Sequence, residues 1–167
     1  MKKRHSLIVI FLLISLCIYL FYRTEKTIIN ELFIALFSLE TYVGFKTFFN
    51  NTFPIHKQLV YSLPGGLWLF CVTVLSSDFY IEIRQRKLAL FIIPFVFALG
   101  LELLQLLHIT NGRFDFWDVA SYLLFGMLAF TFFSKETPKQ NIVRPFTLNS
   151  FSCMICFLIV YLADLWK

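Results

Sequence analysis

Three carboxylates, two amides, an arginine and a histidine fall within a short stretch of a sequence that is otherwise largely apolar. The stretch reads Leu101-Glu102-Leu103-Leu104-Gln105-Leu106-Leu107-His108-Ile109-Thr110-Asn111-Gly112-Arg113-Phe114-Asp115-Phe116-Trp117-Asp118. Side chains of these types can bind an anion through Arg113, as a guanidinium pairs with phosphate or carboxylate in a planar fork. Glu102 or Asp118 can give or take a proton. Glu102 and Gln105 are one helical turn apart, so they share a helix face. Asn111-Gly112 is a turn signal, because both residues tolerate positive φ. Counting 1.5 Å per residue away from that turn brings Gln105 level with about Asp118, and Glu102 level with about Tyr122. The long stem of Arg113 can reach down from the loop. Glu102, Gln105, Arg113, Asp118 and Tyr122 therefore form the candidate polar cluster. His108 sits at its rim, as an interfacial residue or as a proton carrier. Asp115 reads as the N-cap of the returning helix, with Asp118 at the third position, an acidic variant of the capping box. Glu102 and Arg113 have a second reading, as an ion pair that only ties the hairpin together.

The elements that must position this cluster are membrane helices. Of the 167 residues, 59% are hydrophobic and only 15% charged, with a mean hydropathy of +0.75. A soluble domain carries about a quarter charged residues. Apolar runs occur at residues 6–22, 59–76, 88–107, 116–133 and 146–163. Each suits a crossing of roughly 30 Å of hydrocarbon, where helices satisfy their own backbone. The expected fold class is all-α: a single integral membrane domain over 1–167, a bundle of about five transmembrane helices. The first run resembles a signal peptide, but no small-residue cleavage pair follows it, so it reads as an uncleaved anchor. Residues 27–50 carry apolar Ile29, Phe33, Leu36 and Phe37 at helical spacing, broken by Asn30, Glu31, Glu40 and Lys46. That pattern predicts an amphipathic interfacial helix. Pro64-Gly65-Gly66 and Pro94 are expected to bend their spans and leave carbonyls for neighbours to satisfy.

Basic residues set the orientation. With the N-terminus inside, the inner segments hold nine: Lys2, Lys3, Arg4, Arg84, Arg86, Lys87, Lys135, Lys139 and Arg144. Six fall outside over a longer stretch: Arg23, Lys26, Lys46, Lys57, Arg113 and Lys167. The excess puts the N-terminus and the short basic loops inside, and the polar hairpin outside. These clusters punctuate apolar runs instead of forming one basic face, which argues against nucleic acid as a partner despite the net charge of +5. The Cys153-x-x-Cys156 pair lies in an apolar helix with no second pair or histidine near it, so it reads as packing and no metal or cofactor is expected. Ser62, Thr73 and Ser121 suit hydrogen bonds between helices, and Trp68 and Trp117 suit an interfacial belt.

The hairpin and the span before it resemble the VanZ-like membrane proteins. The resemblance rests on Glu102-Leu103-Leu104-Gln105, on Gly112-Arg113-Phe114-Asp115-Phe116-Trp117-Asp118, and on Ser62-Leu63-Pro64-Gly65-Gly66-Leu67-Trp68, within about residues 60–133. The chain departs from that pattern at Tyr122, where the family often has Asn, and at Phe125, with Gly126 one place later than usual. The resemblance implies a multi-pass protein of the bacterial cytoplasmic membrane, acting in the cell envelope and linked to resistance of the glycopeptide (teicoplanin) type. It supplies no reaction.

Two functions of different kinds fit these residues. In one, the outer cluster binds a lipid-linked or glycan envelope component among the membrane lipids. In the other, the chain is a non-catalytic subunit or scaffold for a partner membrane protein, and the cluster pins the hairpin. A third, a small proton-linked carrier, lacks the inverted repeats it would call for. Metalloprotease, nucleophile-elbow and P-loop patterns are absent from the sequence.

Overall fold

In a computed structural model, which describes residues 2–23, 28–83, 86–110, 112–132 and 140–165, the chain is helical apart from one small sheet. The helices are α1 (Lys2–Phe21), α2 (Ile28–Phe37), α3 (Leu39–Thr52), α4 (Lys57–Ser76), α5 (Ile92–Leu106), α6 (Phe116–Thr131) and α7 (Leu148–Leu165). The strands are β1 (Phe79–Ile83), β2 (Arg86–Ala89) and β3 (Gln140–Asn141).

The centre of the bundle is α4. Its sequence is apolar on every face, and a helix of that kind must be covered all round. Leu69, Phe70, Cys71, Val72, Thr73 and Val74 are fully buried. One core cluster joins Ile8 of α1 to Phe70, Cys71 and Val74 of α4 and Ala129 of α6, with Phe11 and Phe125 packed against it. These contacts set α1 antiparallel and α6 parallel to α4. Phe95 stacks on Phe130 with ring centroids 5.6 Å apart, which sets α5 antiparallel to α6. Trp68 Nε1 donates to the Cys156 carbonyl at 3.2 Å and so ties α7 to α4 instead of standing in an interfacial belt. Consecutive long helices thus alternate in direction, and their connections gather at two ends.

At one end lies the sheet. β1 and β2 form an antiparallel hairpin, with Ile83 opposite Arg86 and Tyr80 opposite Ala89. β3 pairs parallel to β1, Phe79 with Gln140 and Tyr80 with Asn141. A second core cluster of Phe79, Leu90, Ile142 and Cys153 buries the sheet against α7. Cys153 of the C-x-x-C pair packs there, and both thiols are free.

Several boundaries differ from the sequence expectation. The third run was expected to be helical from Leu88, but Leu88 and Ala89 belong to β2 and α5 starts at Ile92. Pro94 therefore falls in the first turn of α5, where backbone N–H groups have no intrahelical acceptor, and it bends nothing. Pro64 sits inside α4, which remains one helix. The carbonyls just before it do take outside donors: Arg23 Nη2 donates to Tyr61 O at 2.9 Å and Ser121 Oγ to Ser62 O at 3.0 Å.

The single amphipathic helix expected over 27–50 is two helices, bent by 117° at Ser38. Ser38 takes φ 78°, and its hydroxyl accepts from Thr41 N–H, capping α3. The bend lets α3 run across the end of α1. The last carbonyls of a helix lack intrahelical donors. Here Tyr42 Oη donates to Leu20 O at 3.0 Å, Asn50 Nδ2 to Phe21 O at 2.9 Å and Lys46 Nζ to Arg23 O at 2.9 Å. Phe21 stacks on Phe49 with centroids 4.6 Å apart, sealing the contact.

By length and composition, one described helix, Lys57–Ser76, is long and apolar enough to cross a membrane alone, and the bent pair α2–α3 passes the same test when joined. Five crossings are thus an expectation that the fold does not by itself establish. Thr27, Phe133, Asn111 and the basic residues Lys26, Arg84, Lys135, Lys139 and Lys167 lie outside the described residues.

Candidate functional site

At the end opposite the sheet, α5 stops in a helix-ending turn that the local sequence explains. His108 N–H donates to Gln105 O at 3.0 Å and Ile109 N–H to Leu104 O at 2.9 Å. That bond pair, with His108 at φ 56°, is a Schellman-type cap. His108 is exposed and closes the helix, so its backbone has the role. Before α6 begins, Gly112 takes φ 126°. A Cβ on Gly112 would lie 2.7 Å from Gln105 Nε2, so only glycine fits where the Gln105 amide folds over the turn.

Asp115 caps α6: its carboxylate accepts from Trp117 N–H at 2.9 Å. Its own N–H donates to Glu102 Oε2 at 3.3 Å. Glu102 is only 6% exposed, and this bond fixes where its carboxylate lies, against the first turn of α6. The positive end of that helix dipole favours negative charge there. Asp118 follows in the same turn, half-buried. Glu102, Asp115 and Asp118 thus gather around one helix N-terminus, and Gln105 faces the Gly112 turn above them.

The register differs from the count along the chain. Glu102 comes level with Asp115, not Tyr122, and Gln105 with Gly112, not Asp118. The count assumed helix right up to Asn111-Gly112, whereas α5 ends at Leu106 and α6 starts only at Phe116. Tyr122 packs on α4 instead: a Cβ on Gly65 would lie 3.0 Å from its ring. Arg113 is exposed, and among the described residues it forms no ion pair with Glu102 or Asp118. Trp117 is exposed at the start of α6, while Ser62 and Thr73 each bury a hydroxyl with no hydrogen-bond partner among the described residues.

A residue that sequence reasoning had counted only as an outer charge lies at this same end. Arg23 is buried, with its guanidinium 3.9 Å from the Tyr19 ring centroid and 5.4 Å from that of Tyr61. Tyr61 precedes Ser62, the partner of Ser121 on α6, so Arg23 and α6 meet the same turn of α4. The available signal was the Tyr19-x-x-x-Arg23 spacing, which puts an aromatic ring one turn from the cation.

Chemically, the end holds buried and half-buried carboxylates at a helix N-terminus, an exposed guanidinium on the loop and, past the end of α1, a buried one. Among the described residues, no three His, Cys, Asp or Glu side chains converge as metal ligands. In comparisons with known proteins, no family model matches this chain, and neither does any characterised protein or solved structure.

Proposed function

We propose that this chain is a multi-pass protein of the bacterial cytoplasmic membrane, of VanZ-like type. In this reading it binds a lipid-linked or glycan component of the cell envelope at the outer end of its helix bundle. The observation that carries the reading is the Glu102 carboxylate, held almost out of solvent at the α5–α6 hairpin of a bundle whose outside is apolar. A carboxylate in such surroundings is costly, and functional sites are where that cost is tolerated.

Membrane embedding is supported by the outer surface of the bundle. Val96, Phe97, Leu103, Leu124, Met127, Leu128, Phe151, Met154 and Leu158 are all exposed along α5, α6 and α7. Contiguous apolar surface of this kind needs a nonaqueous neighbour. The spans are α1, α4, α5, α6 and α7, with the N-terminus inside, and the α2–α3 pair lies across the outer end as the interfacial element. Alternating helix directions support that topology, as does the position of Arg86, Lys87 and Arg144 at the sheet end. α5 and α6, with 15 and 16 residues, measure about 22 and 24 Å. Flanking apolar residues, Leu88 and Phe91 on one side and Leu107 and Ile109 on the other, extend their match to the bilayer, and local thinning covers the remainder.

The scaffold reading has one observation in its favour: Glu102 accepts a backbone N–H, as a purely structural pin would. Two variants separate the readings. Glu102→Gln and Arg113→Lys are compared with wild type for membrane yield and for susceptibility of the expressing cells to teicoplanin. Lost resistance at unchanged yield supports a binding site. Parallel loss of yield and resistance supports the scaffold, and no change in either removes both residues from the proposal.

A further inference from the structure

The residue just after α1 is a cation that the fold encloses. Arg23 is 6% exposed, and a guanidinium cannot shed its charge by losing a proton. Of its five N–H donors, one on Nη2 meets Tyr61 O, while Nε is buried with no hydrogen-bond partner among the described residues. Buried donors without acceptors are rare and call for an explanation. Lys46 brings a second cation to the same residue, its Nζ 2.9 Å from the Arg23 carbonyl. Among the described residues no carboxylate forms an ion pair with either.

The surroundings have the character of an anion site. Tyr19 and Tyr61 supply cation–π contact to the guanidinium, which takes up none of its N–H donors and leaves those not bonded to Tyr61 O for an acceptor. The guanidinium presents a planar fork and the ammonium a point charge, and this pairing matches a phosphate group with several equivalent oxygens. The cations sit where α1, α3 and α4 meet, at the end that carries the polar hairpin, with exposed apolar Val43, Phe45 and Phe48 of α3 beside them. A phosphate attached to acyl chains would satisfy both the cations and that apolar surface.

We propose that Arg23 and Lys46 form an anion subsite that takes the phosphate group of a lipid headgroup at the outer end of the bundle. This rests on reading the chain as a membrane protein with that end outside. The site is distinct from the Glu102 hairpin, and its cations lie just past the end of α1 and on α3.

The test uses the full chain purified in detergent micelles, with the thermal unfolding midpoint followed as phosphatidylglycerol, phosphate-free diacylglycerol or inorganic phosphate is titrated in. Wild type is expected to be stabilised by phosphatidylglycerol and not by diacylglycerol. Arg23→Gln and Lys46→Gln are each expected to weaken the apparent phosphatidylglycerol affinity roughly tenfold or more, the scale of a lost charge-assisted hydrogen bond. Lys57→Gln, which removes an exposed cation at the same end, is expected to leave it unchanged. Equal stabilisation by diacylglycerol would overturn the proposal, as would undiminished phosphatidylglycerol stabilisation in the two glutamine variants. Inorganic phosphate acting as strongly as the lipid would overturn the headgroup assignment and leave a site for free anions. Where Arg23→Gln does not fold, Lys46→Gln decides alone. Recovery of wild type in the soluble fraction before detergent is added would instead refute the membrane reading, independently of the titration.

Discussion

Substituting alanine for Gly66 tests whether the close approach of α4 and α6 holds the outer end together. A Cβ on Gly66 would lie 2.1 Å from Ser121 Oγ, 2.5 Å from Phe125 Cδ2 and 3.1 Å from the Ser121 carbonyl oxygen. The hydroxyl can rotate away only by giving up its bond to Ser62 O, worth about 1 kcal/mol. Phe125 cannot retreat freely, because its ring meets that of Phe11 at 6.3 Å within the core. Overpacking of this kind costs about 1–3 kcal/mol. Against this, alanine in a helix interior is favoured over glycine by about 1 kcal/mol. The balance is a net loss of roughly 1–3 kcal/mol, taking the packing and hydrogen-bond terms together against the propensity gain. Gly44 and Gly100 are the controls, since nothing lies within 4 Å of a Cβ at either. At these two the propensity gain stands alone, and alanine is expected to stabilise by about 0.5–1 kcal/mol. Gly65→Ala falls between, because the Tyr122 ring, 3.0 Å away, need shift only slightly. Thermal unfolding in one detergent, at about 2–4 °C per kcal/mol for a chain of this size, resolves the order. A Gly66→Ala protein that unfolds at or above the wild-type temperature would refute the packing argument.

Asp115→Ala should destabilise by about 1 kcal/mol through loss of the α6 cap, and Asp115→Ser should restore most of it, measured by the same unfolding assay. Glu102→Leu leaves the Asp115 N–H without its acceptor, at a cost of about 1–3 kcal/mol, whereas Glu102→Gln keeps an acceptor oxygen and should unfold within a few degrees of wild type. Arg113→Ala should change stability by less than about 0.5 kcal/mol, as expected for an exposed side chain, so any change in teicoplanin susceptibility there reflects function and not folding. Tyr42→Phe removes the donor to Leu20 O and should cost about 1 kcal/mol, with protease sensitivity rising first at the α1–α3 junction.

Much of the architecture was legible along the chain. The sites of all five long helices followed from apolar runs, α5 only starting later than its run, and the cap at Asp115 from its residue type just before an apolar stretch. Ser121 makes the helix-to-helix hydrogen bond its type suggested. Other features had a local signal that composition masked. Phe79-Tyr80-Ile81-Glu82-Ile83 has the β-branched and aromatic character of a strand, yet it stood between two apolar runs and read as loop. Ser38, followed three residues later by Thr41, carried the signature of a helix start within what looked like one amphipathic segment.

What the sequence determined by itself was the helical class of the protein and the identity of its polar residues. Apolar runs of this length call for helices, and the types from Glu102 to Asp118 mark the polar hairpin between two of them. Only the tertiary structure decided which of these groups meet. Glu102 faces the Asp115 N–H because α5 stops at a left-handed His108, a termination that hydropathy does not encode. Arg23, not Arg113, is the buried cation, since burial depends on α3 folding back across the end of α1, and that depends on the bend at Ser38. Helix content reports each residue's own preferences, whereas burial and pairing report distances between residues far apart in the chain, which exist only once the helices have packed.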